Sequence, residues 1–417
     1  MKNRVAITGL GAVTPIGIGA KAFWEAAKAG QSGVGDVSLF DATNYETKTA
    51  AEVKGFNPAD FMLPEVFRKT DRFAQLGIAA ARMAIEDARI GAVINKSSNN
   101  VPVIIGSGLG GSLFHEEQIF QLVEGKNPRR VLSSSVPRIA PNAVSAYIAM
   151  QFQLRGPNLT ISTACSSGGN AIALAAGMIE AGAADIVITG GVECPITPFT
   201  YAAYQSLRVL STGCKGTMKT PRPFDKNRDG FVLGEAAGIL VLEAFDKAEA
   251  RGANIYAVLC GKASNCGAYH MAAPDPSGED AAQAMESALA DAGVDRSQIK
   301  YINAHGTATK ANDACEAKAI KRVFSGVEEM PFVSSTKSVT GHTIGAAGAI
   351  EAILTALAVK NDTVPPNMNC DDLDAECDLN VVRNAALEVK MPYALSNSFG
   401  FGSNNSVLVF RKKELNS

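Results

Sequence analysis

The sequence predicts an α/β protein made of two halves packed as one body. Three observations carry this. Short apolar runs alternate with longer helical patterns throughout, the same style starts again after Arg251 and Gly252, and no low-complexity linker separates the two stretches. In the first half, residues 5–8, 101–105, 159–162, 186–189 and 239–242 read as buried strands, with helices over 73–88 and 171–181. In the second, a strand over 255–259 precedes a helix over 279–292. A strand over 301–303, a helix over 346–359 and a closing strand over 406–410 follow. The division this suggests is 1–252 and 253–417, with no strict sequence repeat between the parts.

Composition narrows the function classes. The 417 residues carry 39 Lys+Arg against 41 Asp+Glu, which gives no global attraction to nucleic acid or an anionic membrane. No apolar run reaches the roughly 20 residues that span a bilayer. The opening MKNRVAITGLGAVTPIG has early positive charge, but Gly9, Gly11 and Pro15 break any signal-peptide core, so a first strand and a glycine turn are expected. The eight cysteines form no CxxC pair and no zinc-ligand spacing with histidine, and they read as reduced thiols of a cytoplasmic protein. No metal site is expected.

GSGLGGS at 106–112 satisfies G-x-G-x-x-G after a strand, yet no acid at a strand end follows about 20 residues on. A nucleotide site is therefore rejected, and the turn reads as a place where backbone approaches something else. TISTACSSGG at 160–169 carries more. A β-branched strand stops at Cys165, and small residues open at once onto a helix. A helix N-terminus favours thiolate over thiol, so Cys165 is the candidate nucleophile. Of four histidines, His305 (NAHGTAT) and His342 (KSVTGHTIGAAG) sit in polar, small-residue loops beyond apolar runs. Neutral imidazoles there could donate hydrogen bonds to a carbonyl that becomes an enolate. His115 and His270 read as structural.

Together, RVAITGLGAVTPIG, TACSSG, RPFDKNRDGFVLGEAAGILVLE, YINAHGTAT, SSTKSVTGHTIGAAGAIEA and SNSFGFGSNNS resemble the elongating β-ketoacyl–acyl-carrier-protein synthases, including type II polyketide ketosynthase α subunits. The resemblance implies the thiolase fold, two similar halves in five alternating αβαβα layers. It also implies an acyltransferase that joins an acyl thioester on Cys165 to a malonyl thioester with loss of carbon dioxide. His305 and His342 would hold the enolate, and Lys337 would support them with Asp313 and Glu351 behind it. The N–H groups of Cys165 and Phe401 would form the oxyanion hole, with Phe401 also a gate. Thr307 and Thr309 would bind the phosphopantetheine arm. No cofactor is implied beyond that arm, which belongs to the carrier protein.

Relatives separate on single residues. Thiolases use a second cysteine near the C-terminal glycine motif, and Gly400–Ser406 (GFGSNNS) has none. Initiating synthases replace one histidine with asparagine, whereas His342 is present. Chain-length-factor subunits, non-catalytic partners in heterodimers, lack the nucleophile. TKAND at 309–313 looks like the polyketide ketosynthases, while TACSSG and GAAGAIEA look like the fatty-acid enzymes. Tyr204 stands where a pocket phenylalanine is frequent, which leaves acyl selectivity open. Arg68, Lys69 and Arg208 match basic positions that meet the acidic carrier protein. The expected assembly is a homodimer, or a heterodimer with a chain-length-factor-like subunit.

Overall fold

The computed structural model describes residues 4–96, 100–213 and 219–413. The apolar runs become strands of one hydrogen-bonded path. In chain order its main strands are β1 (Val5–Thr14), β2 (Val103–Gly106), β3 (Asn158–Ile161), β4 (Ile186–Glu193) and β5 (Ala236–Ala244). Then come β6 (Ala257–Cys266), β7 (Ile299–Asn303), β8 (Phe332–Ser334), β9 (Tyr393–Gly400) and β10 (Asn404–Arg411). Their spatial order is β8–β7–β9–β10–β6–β1–β5–β4–β2–β3.

That order hides a repeat. From the central antiparallel contact of β1 with β6, each group of five runs outward as first, fifth, fourth, second, third. In both groups the two inner pairings are antiparallel and the two outer ones parallel. Even the irregularities match: the register shifts between Ile7 and Gly9 on β1, and between Leu259 and Gly261 on β6.

Six helices complete the layers: α1 (Arg72–Ala88), α2 (Ala143–Phe152), α3 (Ser167–Glu180), α4 (Glu279–Ala292), α5 (Lys310–Val323) and α6 (Ala347–Asn361). Helices α1 and α2 cover the first group of strands, and α4 and α5 cover the second. Helices α3 and α6 fill the space between them. The result is the five-layered αβαβα body that the resemblance implies. The matched glycines explain the close outer packing. A Cβ on Gly9 would sit 2.2 Å from the Ala84 carbonyl oxygen of α1, and one on Gly261 would sit 2.5 Å from that of Ala288 on α4. Only glycine lets helix backbone come that near a bulged strand.

The stretch Ile344–Asn361, which contains α6, is long and apolar enough to cross a membrane, but 89% of it is buried inside the fold. Helices hydrophobic all round occupy cores as well as bilayers. Here both faces are needed, one for each group of strands.

The two central helices meet at their first turns. A Cβ on Gly348 would lie 2.7 Å from the Gly169 nitrogen, and one on Gly168 would lie 2.9 Å from the Ala349 nitrogen. This contact brings the β3–α3 junction of one half against the β8–α6 junction of the other. The candidate residues stand at that crossing.

Candidate active site

Cys165 sits in the tight turn between β3 and α3, just after Ala164, whose φ of 51° is left-handed. Such conformations in a residue with a Cβ are held by their surroundings and cluster at functional sites. Gly400 leaves no room for relaxation, because a Cβ there would lie 3.1 Å from the Cys165 nitrogen. The sulfur faces the N–H groups of Phe401 and of Cys165 itself, both of which favour its anion. It also lies 3.2 Å from His342 Nε2.

Burial works against the thiolate that the helix start is expected to favour. Cys165 is 7% exposed, and burial pushes its pKa up to about 12 against the pull of Lys337 and those N–H groups. Helix α3 starts two residues later, at Ser167. Desolvation of this kind favours the neutral thiol at rest.

The histidine tautomers follow from their neighbours. Lys337 Nζ is 3.3 Å from His305 Nδ1, and the Ile344 N–H donates to His342 Nδ1 at 3.3 Å. An ammonium and an amide can only donate, so each Nδ1 accepts and each Nε2 carries the proton. Burial, then Lys337, holds both imidazoles well below the usual histidine pKa, with His342 adding to the effect on His305. Both rings are therefore neutral donors near neutral pH. They stand edge to face at 5.4 Å, and Phe231 meets His342 the same way at 5.0 Å.

Lys337, 1% exposed, forms a buried ion pair with Glu351. Asp313 does not join this group. It accepts from the N–H groups of Phe224 at 2.8 Å and Ala308 at 3.1 Å, with Arg228 at 3.7 Å. Its carboxylate thus shapes the 307–309 loop instead of backing Lys337, as the resemblance implied. That loop joins Thr307 and Thr309 through their hydroxyls at 2.9 Å.

One cleft, about 1020 Å³ with its open mouth included, is lined by Cys165, His305, His342, Phe401, Thr307, Thr309 and Tyr204. Lys337 and Glu351 lie behind it. Arg68, Lys69 and Arg208 are exposed and do not line it; Arg208 adjoins Val209, which does. His270 is structural: its Nδ1 accepts from the N–H groups of Ala272 and Ala273, both at 3.0 Å. His115 is exposed on a separate helix.

Two buried glutamates escaped sequence reasoning. Glu316 accepts from the His305 and Gly306 N–H groups, each at 2.8 Å, and from Asn397 Nδ2 at 3.1 Å. Its signal was position, since Asp313, Glu316, Ala317 and Ile320 fall on the buried face of α5. Glu193, at the end of β4, is what the glycine turn approaches. It accepts from Gly108 N–H at 2.6 Å, Leu109 N–H at 3.0 Å, Ser107 Oγ at 3.1 Å and Gly345 N–H at 3.2 Å. Burial lifts its pKa to about 7 against those four donors. In Glu193→Gln either amide orientation turns an NH₂ toward backbone N–H groups. The variant is expected to lose about 1–3 kcal/mol in denaturant unfolding despite its matching shape. An unchanged unfolding midpoint would contradict this account of the turn.

Among the described residues, no group of three or more His, Cys, Asp or Glu side chains is placed to hold a metal ion. Glu351 Oε2, Asn397 Oδ1 and both amide atoms of Asn303 are buried without a partner among the described residues.

Comparison with known proteins agrees with this geometry. Residues 2–248 match the family model "Beta-ketoacyl synthase, N-terminal domain", and residues 256–371 match "Beta-ketoacyl synthase, C-terminal domain". The chain is 43% identical over 413 residues to 3-oxoacyl-[acyl-carrier-protein] synthase 2 of Staphylococcus aureus (strain N315), covering 99% of both chains. Identity to the enzyme of that name from Vibrio harveyi is 44%, again over 99% of both. Among solved structures, the ishigamide ketosynthase/chain length factor aligns at TM-score 0.92 and 33% identity, covering 99% of this chain and 100% of that one. A type II polyketide ketosynthase bound to a hexaketide, in complex with its acyl-carrier protein, aligns at TM-score 0.92 and 31% identity with the same coverage. On this evidence the chain belongs to the β-ketoacyl synthase family.

Proposed function

We propose that this cleft joins an acyl group held on Cys165 to a malonyl group carried by acyl-carrier protein, lengthening the chain by two carbons. The observation that carries the reading is a buried thiol beside two neutral Nε2–H donors, with two backbone N–H groups on its other side.

In the first half-reaction the Cys165 sulfur–acyl bond forms and the pantetheine sulfur–acyl bond breaks. The thiol proton ends on the pantetheine sulfur. The oxygen of the tetrahedral intermediate is stabilised by the N–H groups of Cys165 and Phe401. In the second, malonyl thioester loses carbon dioxide, and the electron pair left behind delocalises onto the thioester oxygen. His305 and His342 stabilise that enolate by donation from Nε2, without having to be charged. Its carbon attacks the acyl carbonyl on Cys165, the carbon–sulfur bond breaks, and the leaving thiolate takes a proton from solvent. Lys337 acts through His305 by fixing its tautomer. Thr307 and Thr309 meet the pantetheine arm, and Phe401 is the gate. Gly402, with φ of 76°, allows the backbone turn beside its ring.

The partners follow the same reading. Arg68, Lys69 and Arg208 offer positive charge to the acidic carrier protein. Phe120, Val123 and Val136 are 61%, 66% and 74% exposed, and they support a second subunit, identical or chain-length-factor-like. The seven described cysteines are free, which supports a reducing, cytoplasmic setting; Cys214 lies outside the described residues. The division at 252/253 is supported by the repeated strand order. Chain elongation of this kind serves fatty-acid or polyketide synthesis.

Incubation with acyl-loaded carrier protein tests the reading. An acyl mass on Cys165, discharged as a longer 3-oxo product when malonyl carrier protein is added, is expected. Charge reversal at Arg68 and Lys69 should raise the apparent KM for carrier-bound substrate. No adduct on Cys165, or acylation of a partner subunit instead, would defeat it.

A further inference from the structure

Tyr204, Val209, Phe231 and Ile344 line the same cleft as Cys165. Three of these four are apolar and suit a hydrocarbon chain. The fourth is not. Among the described residues the Tyr204 hydroxyl meets no hydrogen-bond partner, although the ring is only partly exposed and lines the cleft. Its ring is held edge-on against Phe231 at 5.8 Å, and Phe231 in turn packs on His342. The phenol is therefore fixed relative to the reacting centre. Burial raises its pKa, and it lies near enough to Cys165 and Glu193 that a negative charge on either would raise it further. The group is a neutral donor with no acceptor among the described residues.

An empty pocket satisfies such a donor with water. A saturated acyl chain expels the water and supplies no acceptor, which leaves the phenol desolvated and unpaired. Sites that hold a buried polar group discriminate strongly against ligands that cannot pair it, whereas apolar walls discriminate weakly between chains. Condensation by two-carbon steps fixes where an acceptor can be. Each step leaves a carbonyl on the third carbon, and successive unreduced steps leave oxygens on the third and fifth. Those positions are the first beyond the thioester on Cys165, which lines the same cleft as Tyr204 and is close enough to act on its charge.

Resting on the condensing reading above, we infer that Tyr204 is a specificity-determining residue, donating a hydrogen bond to an oxygen on the third or fifth carbon of the acyl chain. The preferred substrate class is then an oxygenated acyl thioester that has not been fully reduced after the previous addition. The reaction that supplies this enzyme would be a condensation, or a condensation followed by ketoreduction alone.

The test uses the full chain and three carrier-protein thioesters of equal length: hexanoyl, 3-hydroxyhexanoyl and 5-oxohexanoyl. The rate of mass gain on Cys165 is followed for wild type and Tyr204→Phe, whose folding is checked by its unfolding midpoint. Wild type is expected to load one of the oxygenated chains at least about tenfold faster than hexanoyl. Tyr204→Phe should cut that ratio by about 10- to 100-fold, mainly by loading hexanoyl faster. A wild-type preference for hexanoyl, or a ratio unmoved by the substitution, would overturn the inference and leave the condensing reading intact. Failure of all three to load Cys165 in wild type would instead remove that reading, and this inference with it.

Discussion

Cys165→Ala loses acyl loading, and its condensation rate falls at least about 10⁴-fold. The size of the effect follows from the site's construction. The acyl group must be parked within reach of the enolate carbon, and no second thiol replaces Cys165: the described cysteines nearest in sequence are Cys194 and Cys260, and only Cys165 and Cys315 line the cleft. Cys315 stands on α5, and the groups acting on its thiol are Lys318, Asp275, Asp280 and Asp313, not those that face Cys165. Loss of carbon dioxide from malonyl carrier protein should survive the change, because His305 and His342 keep their Nδ1 partners, Lys337 and the Ile344 N–H. Cys165→Gln should uncouple the steps more fully. Its side-chain carbonyl can occupy the two N–H groups as an acylated cysteine would, while offering no thioester to attack. Carbon dioxide release and 3-oxo product are measured in parallel. Normal product formation in either variant would remove Cys165 as nucleophile.

The fold was legible where one physical signal dominated. Buried strands such as β2 and β4 announce themselves by β-branched runs, and α4 by its amphipathic period. The sequence hid β9, whose YALSNSFG has only scattered apolar residues. Its polar side chains are buried at the heart of the site, where Asn397 bonds Glu316, so neither alternation nor hydrophobicity reveals it. Likewise β8, three residues long, is too short to show a period. The repeat of the two halves lies in strand order and in two glycine bulges, features of backbone geometry that side-chain identity need not preserve.

Within the site, residue type was legible and environment was not. Cys165, His305 and His342 stand out as reactive types in small-residue settings. The thiol's protonation is governed by desolvation, which depends on Gly400, Phe401 and His342 being brought against it from far along the chain. Glu193 and Glu316 show the same limit. Each organises the backbone of a distant or neighbouring loop, and no spacing rule marks a carboxylate that accepts only from N–H and O–H groups.

Lys337→Met is expected to damage both stability and turnover, and the two effects can be separated. Removing the ammonium leaves Glu351, 1% exposed, without its charge partner, and breaking a buried pair in this way costs about 3–5 kcal/mol. Glu351 already has its pKa raised by burial against the pull of Lys337. With Lys337 gone the carboxyl is driven further toward its protonated form. The sign of the pH dependence follows, because a group whose folded pKa lies above its unfolded value loses its contribution as pH rises through the folded value. The variant should therefore be most compromised on the alkaline side of neutrality. Replacing both partners, in Lys337→Met/Glu351→Leu, removes the orphaned acid and should recover most of the unfolding midpoint. It should not recover turnover. His305 Nδ1 still lacks the donor that fixed its proton on Nε2, so the ring no longer presents a dependable N–H to the enolate. A loss of about 10²–10³-fold in decarboxylation is expected to persist, the magnitude of one misplaced oxyanion donor. Denaturant unfolding and carbon dioxide release on the two variants decide the matter. A double variant that regained both would show that Lys337 serves only to neutralise Glu351, and the tautomer argument for His305 would fall.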